Sequence, residues 1–393
     1  MPSGPTTSID LGSAGVIADP YPHFAAERGR HEVAWSEQSG RWLTFSHAAA
    51  QAVLRDRRLG RIWRDREPAD YLEPFNLLHR NQMMENEPPE HTRLRRAVSG
   101  AFNRGHVERL RPRVGALASS LLDSAGDSFD VIADYAEPLP VLVIAELVGL
   151  ASADVPALRS WSQAIVRMYE PSPSPEVVAD AVAAAADFGD LVRDHLAFRR
   201  DNPGQDLTTD LLAAGLSDDE LVASVVLLLN AGHEASVNVF GNGLVAYLRS
   251  RGSRDALERV PQLTTASVLG LVEEMLRFDP ALQLFERTAT TDVTVGGVVV
   301  EKGQKIAALL GAANRDPAVF ADADAFEPDR SPNPHLAFGA GVHFCLGAPL
   351  ARMELVESLS LLLTRFPSLA LDGEPESRGT FVLRGYRSVR VRA

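Results

Sequence analysis

The chain has 393 residues, 45% of them hydrophobic and 23% charged, which suits a globular protein able to bury a large core around a ligand and excludes a disordered chain. Its net charge of -13 argues against general nucleic-acid binding, while leaving room for a local basic patch that receives an acidic partner. A single cysteine excludes an internal disulfide and any multi-cysteine zinc or iron-sulfur site, and points to a reducing compartment.

The first residues, MPSGPTTSIDLGSAG, show no basic segment followed by an apolar run, so neither a signal peptide nor a membrane anchor is expected and the cytoplasm is the default location. Glu32 to Trp35 and Trp42 to Phe45 flank Ser39-Gly40 as a hairpin, and Ser46 caps a helix running through Leu54. A long irregular stretch is predicted from Arg55 to Pro89, where Gly60, Pro68, Pro74 and Pro88-Pro89 break any regular pattern. Helical patterns dominate from Glu90 to about Arg254, interrupted at Gly105, at Gly126, in the proline-rich segment Pro171 to Pro175, and at Asn202-Pro203-Gly204. The apolar runs Val141 to Leu150 and Leu221 to Ala231 are far shorter than a bilayer span of roughly 20 residues. Two paired strands are expected between Thr290 and Leu310, around Gly296-Gly297 and Lys302-Gly303, and further strands between Thr380 and Val391. With no internal repeat and no linker, residues 1-393 read as one domain, mainly α with small β-sheets: β-rich roughly at 1-60 and 280-320, helical elsewhere.

Several segments carry chemistry. In PPEHTRLRR, His91 and Arg95 stand at i, i+4 on one helical face and can reach the same anion. In LLLNAGHEASVNVFGNG, Gly232 and Glu234 interrupt an apolar helix, where glycine costs roughly 1 kcal/mol and an inward carboxylate needs a partner. A zinc HExxH motif fails there because Val237 replaces the second histidine. In EEMLRFDP, Glu274 and Arg277 share a face at i, i+3, ordinarily a weak exposed ion pair. The segment HLAFGAGVHFCLGAPLARMEL sets Cys345 among glycines just before a helix, where the macrodipole and free amides favour a thiolate. Taken alone, Cys345 admits three readings: a small buried hydrophobe, a thiol nucleophile assisted by His343, or an axial haem ligand.

Phe338, Gly341, Cys345 and Gly347 match FxxGxxxCxG, and this segment closely resembles the haem-binding signature of the cytochrome P450 family. The resemblance runs in order from the first hairpin to the C-terminus. It implies the cytochrome P450 fold, with haem b (iron protoporphyrin IX) between the long central helix and the cysteine loop, and Cys345 as the axial iron ligand. His91, Arg95, Arg287 in ERTAT, and His343 fall at propionate-binding positions. Glu274 and Arg277 become the ExxR element, completed by Arg330, with a structural role. Glu234 takes the proton-relay position, but Ala235 stands where the family normally has threonine. Ser236, turned about 100° further round the helix, is expected to point away.

Asn230, Ala231, Leu282, Phe285, Phe381 and Val382 fall in substrate-lining regions, with Arg64, His79 and Asn81 as polar candidates. The glycines of the cysteine loop are expected to admit a flat macrocycle, and Phe338 to pack on the sulfur. Seven arginines between Pro89 and Arg113 oppose only Glu90 and Glu108, and Arg93 and Arg96 offer charge to a ferredoxin or flavodoxin served by a separate NAD(P)H-dependent reductase. The implied function is oxidation of a hydrophobic small molecule with dioxygen in secondary metabolism, by hydroxylation or epoxidation. Oxidative coupling without oxygen insertion and a non-catalytic haem sensor or carrier are the alternatives.

Overall fold

Ser46 switches the chain from sheet to helix. Its backbone is extended (φ -103°) and its hydroxyl accepts from Ala49 N-H, so the strand Arg41–Thr44 ends and the helix His47–Arg55 begins. The computed structural model describes residues 3–100, 104–151, 154–170, 173–253 and 264–393. Arg41–Thr44 pairs antiparallel with Val33–Ser36 across Gly40, whose φ of 60° suits the turn. These strands belong to a six-stranded sheet ordered Thr6–Thr7, Val33–Ser36, Arg41–Thr44, Lys305–Leu309, Leu284–Ala289, Leu59–Gly60. The start of the chain and its 284–309 region therefore share one sheet.

Gly296 and Gly297, both at positive φ, close a separate hairpin of Val293–Val295 and Val298–Val300. The 290–310 region holds three strands instead of two, because Lys305–Leu309 leaves that hairpin to run parallel to Arg41–Thr44. Near the C-terminus, Tyr386–Ser388 and Arg390–Arg392 are strands, whereas Leu383 makes only an isolated bridge to Leu282.

The stretch expected to be irregular contains the helix Ala69–Arg80 and the turn Met83–Glu85. Pro74 removes one amide donor from that helix, but Leu72, Phe75, Leu78 and His79 are buried along it, and their packing outweighs the lost bond. Gly105 likewise lies within the helix Arg104–Asp123. Pro171, Ser172 and Arg254 lie outside the described residues.

The apolar run Leu221 to Ala231 is part of one unbroken helix, Asp218–Ser253. By length and composition this helix is able to cross a membrane, but most of it is buried inside the protein, where core helices need no polar face. Val222, Val225, Val237 and Leu244 pack in a core shared with Ile144, Phe188, Met275 and Leu359. Gly243 lets Met275 close on the helix backbone, since a Cβ there would collide with that side chain.

Glu274, in the helix Thr265–Phe278, is fully buried rather than exposed. Arg277 donates to both its oxygens at 2.7 and 2.8 Å, Arg330 lies 3.3 Å away, and Glu327 N-H and Asn333 Nδ2 add bonds at 2.8 and 3.2 Å. Arg277 also donates to the carbonyls of Asn314, Ala323 and Ala325, and Arg330 to those of Ala321, Asp322 and Ala325. Side chains on one helix thus fix the chain that leads into the cysteine loop. Glu274→Gln removes the one charge that two buried guanidinium groups share, so a loss of about 3–5 kcal/mol in the free energy of chemical unfolding is expected.

Candidate active site

A cavity of about 1260 Å³ lies between the central helix and the loop that carries Cys345. His91, Arg95, Asn230, Ala231, Glu234, Ala235, Leu282, Phe285, Arg287, His343, Cys345, Phe381 and Val382 all line it. Glu274, Arg277 and Arg330 do not; they support it from outside. Ala231 is exposed in the middle of a buried helix because it faces this space, and Ala235 follows one turn later.

Cys345 is positioned by its own amide, which donates to Phe338 O at 2.9 Å, and by the helix Ala348–Arg365 that starts just beyond it. Burial pushes the thiol pKa up, against the amides of Gly347 and Ala348 and the Arg95 and Arg352 charges that pull it down. The expected lowering by the helix start is present but burial outweighs it. The loop glycines answer to protein contacts: Gly341 (φ 71°) presses on Leu54 O, and Gly339 (φ 69°) on the Phe285 ring. The Phe338 ring packs against Phe344, with the Arg352 guanidinium 4.5 Å from its centroid. Arg352 and His335 in turn clamp Glu273. Burial pushes that carboxyl up, but their hydrogen bonds at 2.6–3.0 Å prevail and hold it at about 2.

Four basic groups converge above the loop. Arg287 is 3% exposed and donates to Glu286 O at 2.9 Å, yet among the described residues it has no ion pair. Burial, reinforced by the nearby Arg61 charge, pushes its pKa down to about 9. Arg95 donates to Phe344 O at 2.7 Å. His91 packs on His343 at 4.4 Å, and burial first, then the His343 and Arg95 charges, hold its pKa at about 4. His343 Nε2 meets Glu87 Oε1 at 2.8 Å. One carboxylate among four basic groups leaves an arrangement suited to receive an anion.

Glu234 is buried and ion-paired with Arg378 at 2.9 Å, and burial still raises its pKa against that partner. His233 beside it is buried, and burial lowers its pKa to about 3, so it is neutral. Ser236 lines the main cavity and also a small void beside Tyr135, Phe240 and Glu354. Glu354 was not apparent from the sequence, where it sits unremarkably in ARMEL. It lines both spaces, and no hydrogen bond or ion pair to its carboxyl is found among the described residues; burial alone lifts its pKa to about 8.

Glu87, Arg378 and Glu170 were also missed; Glu170 accepts the backbone amides of Phe381, Val382 and Leu383 at 3.0–3.3 Å. Each is a polar side chain whose partner is distant in sequence. Phe381 is mostly core, edge-on to Phe24 at 6.3 Å. Asn81 does not line the cavity and instead donates to Leu77 O at the end of its helix. Of the expected basic patch, Arg93 is held by Glu90 and Glu220, Arg111 by Glu108 and Glu357, and Arg113 by Glu146.

The sequence model described as Cytochrome P450 matches residues 264–383. The chain is 36% identical to cytochrome P450 monooxygenase PikC of Streptomyces venezuelae over 98% of its own length and 94% of that protein's. It is 39% identical to mycinamicin IV hydroxylase/epoxidase of Micromonospora griseorubida, over 86% of this chain and 84% of that one. Among solved structures, P450BioI in complex with a hexadec-9Z-enoic acid-ligated acyl carrier protein superposes with a TM-score of 0.91 at 29% identity, covering 97% of this chain and 100% of that one.

Glu354 supplies a pH test. Its carboxyl is neutral in the fold up to about pH 8 but ionises near 4.5 once unfolded, so between those values the folded state holds the extra proton. Stability contributed by the neutral group is full below about pH 4.5 and falls as pH rises, by at most about 1.4 kcal/mol per unit. Glu354→Gln should flatten that slope and unfold at higher denaturant than the wild type at pH 8, in paired titrations at pH 5 and pH 8.

Proposed function

The chain belongs to the cytochrome P450 family, whose cofactor is haem, and from that premise we propose that it oxidises a hydrophobic small molecule in bacterial secondary metabolism, by hydroxylation or epoxidation. The carrying observation is that Cys345, the four basic groups and Glu234 open onto one largely apolar cavity. The residues present fit haem b. The sulfur faces the cavity with amide donors directed at it, and Arg287 is a buried cation with no carboxylate ion pair among the described residues, matching a propionate. Cys345 would ligate the iron, and His91, Arg95, Arg287 and His343 would hold the propionates. When bound, the haem supplies reductive activation of dioxygen through a thiolate-ligated iron.

The chain's own residues then orient substrate and move protons. Val143, Ile144, Val226, Leu227, Leu282 and Phe285 give the cavity apolar walls. Asn230 and Ala231, with Leu282, Phe285 and Val382, line this cavity and would contact substrate. Glu234, anchored by Arg378, is the relay acid. Ala235 brings no hydroxyl, so a substrate hydroxyl or an ordered water completes the relay beside it. The Ser236 and Glu354 pair, sharing a void behind the helix, is a second route for a proton.

Ala235 also favours a second reading, oxidative coupling without oxygen insertion. Electrons would come from a separate ferredoxin or flavodoxin with an NAD(P)H-dependent reductase, docking near exposed Phe344 and Arg96, since Arg93 is already ion-paired. Residues 1–393 would act as one domain in the cytoplasm.

Reconstitution with ferredoxin, reductase, NADPH and isotopically labelled dioxygen tests this reading: label in the product supports oxygen insertion, and unlabelled coupled product supports the second. Glu234→Gln is expected to lower turnover about 100-fold. Ala235→Thr is expected to change product formed per NADPH; unchanged product and peroxide would remove any functional role for the alanine.

A further inference from the structure

His79 and Tyr169 meet in the cavity wall, one from the helix Ala69–Arg80 and the other from the turn Arg167–Tyr169. The His79 ring stacks on Phe75 at 4.0 Å and on Trp63 at 4.8 Å, those two rings being 6.2 Å from each other. Its Nδ1 lies 2.7 Å from Phe75 O. A carbonyl only accepts, so Nδ1 carries the hydrogen. The ring is 2% exposed and burial keeps it neutral, leaving Nε2 with a bare lone pair.

Nε2 lies 3.1 Å from the Tyr169 hydroxyl. That hydroxyl has one hydrogen and must give it to Nε2, so toward any other partner the phenol oxygen only accepts. Among the described residues no donor reaches it. From this chain we infer that Tyr169, oriented by His79, is a hydrogen-bond-accepting subsite selecting substrates that carry a neutral hydroxyl on an apolar skeleton. The inference rests on the cavity being the substrate chamber.

Neutrality follows from the surroundings. Arg61 is ion-paired with Glu85, whereas Arg66 donates to Met168 O, lies over the Phe75 ring at 5.2 Å and has no ion pair among the described residues. Both arginines and Glu85 act electrostatically on Tyr169, so an incoming ammonium meets a net positive charge and a hydroxyl does not. Leu78, Val166 and Trp63 line the same wall and suit the apolar remainder. A ketone or ether would set its lone pairs against those of the phenol, leaving both oxygens without a hydrogen bond.

The test titrates the haem-loaded enzyme with cyclododecanol, cyclododecanone and protonated cyclododecylamine, reading dissociation constants by the haem spin-state shift and in parallel by calorimetry. The alcohol is expected to bind about tenfold tighter than the ketone and tighter than the amine. Tyr169→Phe should abolish the preference by weakening the alcohol alone. His79→Phe, which keeps an aromatic ring in the stack, frees the Tyr169 hydroxyl to turn and donate, so ketone binding should strengthen toward that of the alcohol. A purely structural role for His79 predicts no selective gain for the ketone. Equal wild-type affinities, no binding of the alcohol, tighter binding of the amine, or an unchanged preference in either variant overturns the subsite. Because calorimetry needs no iron signal, a protein that shows the preference and its loss but lacks a thiolate-ligated haem spectrum would sink the oxidase reading and leave the subsite standing.

Discussion

Glu274 holds its charge in the dry interior because two guanidinium groups, an amide side chain and a backbone N-H surround it. Those guanidinium groups spend their remaining donors on carbonyls between Asn314 and Ala325, the approach to the cysteine loop. Glu273, its neighbour, clamps His335 and Arg352, which flank Cys345 on either side in sequence. Two adjacent carboxylates on one helix therefore tie down the segments before and after the sulfur. The position of Cys345 relative to the central helix follows from this framework, and so does the cavity between them.

The cavity concentrates basic groups in a protein that is acidic overall. Arg287 shows the consequence most plainly: burial costs it solvation, and among the described residues no carboxylate is ion-paired with it. An anion carried by a bound group would relieve that cost. The same dry environment acts on the acids. Glu234 has Arg378, whereas no ion partner of Glu354 is found among the described residues; burial raises both carboxyl pKa values, that of Glu354 to about 8.

Local rules made the hairpin at Gly40, the cap at Ser46 and the loop around Cys345 legible in the sequence, because turn geometry, capping and motif spacing are settled by near neighbours. His91, Arg95, Arg287 and His343 come from three distant segments, and the structure lines one cavity with all of them. The helix through Pro74 was hidden because packing of Phe75 and Leu78 overrides the proline. Glu87, Glu354, Arg378 and Tyr169 were hidden for a related reason. Glu87, Arg378 and Tyr169 each matter through a neighbour supplied by a remote element, such as Arg378 for Glu234 across 144 positions, and Glu354 matters through its burial. The void that Ser236 shares with Glu354 was hidden too, because helical rotation says where a side chain leaves the backbone and says nothing of a space waiting there.

The central claim, that Cys345 ligates a haem iron in this cavity, is tested most directly by the carbon monoxide difference spectrum of the reduced protein. The wild type should show the band of thiolate-ligated haem, and Cys345→Ala should lose it. A wild-type spectrum without that band, or a Cys345→Ala variant that keeps it, would contradict the account.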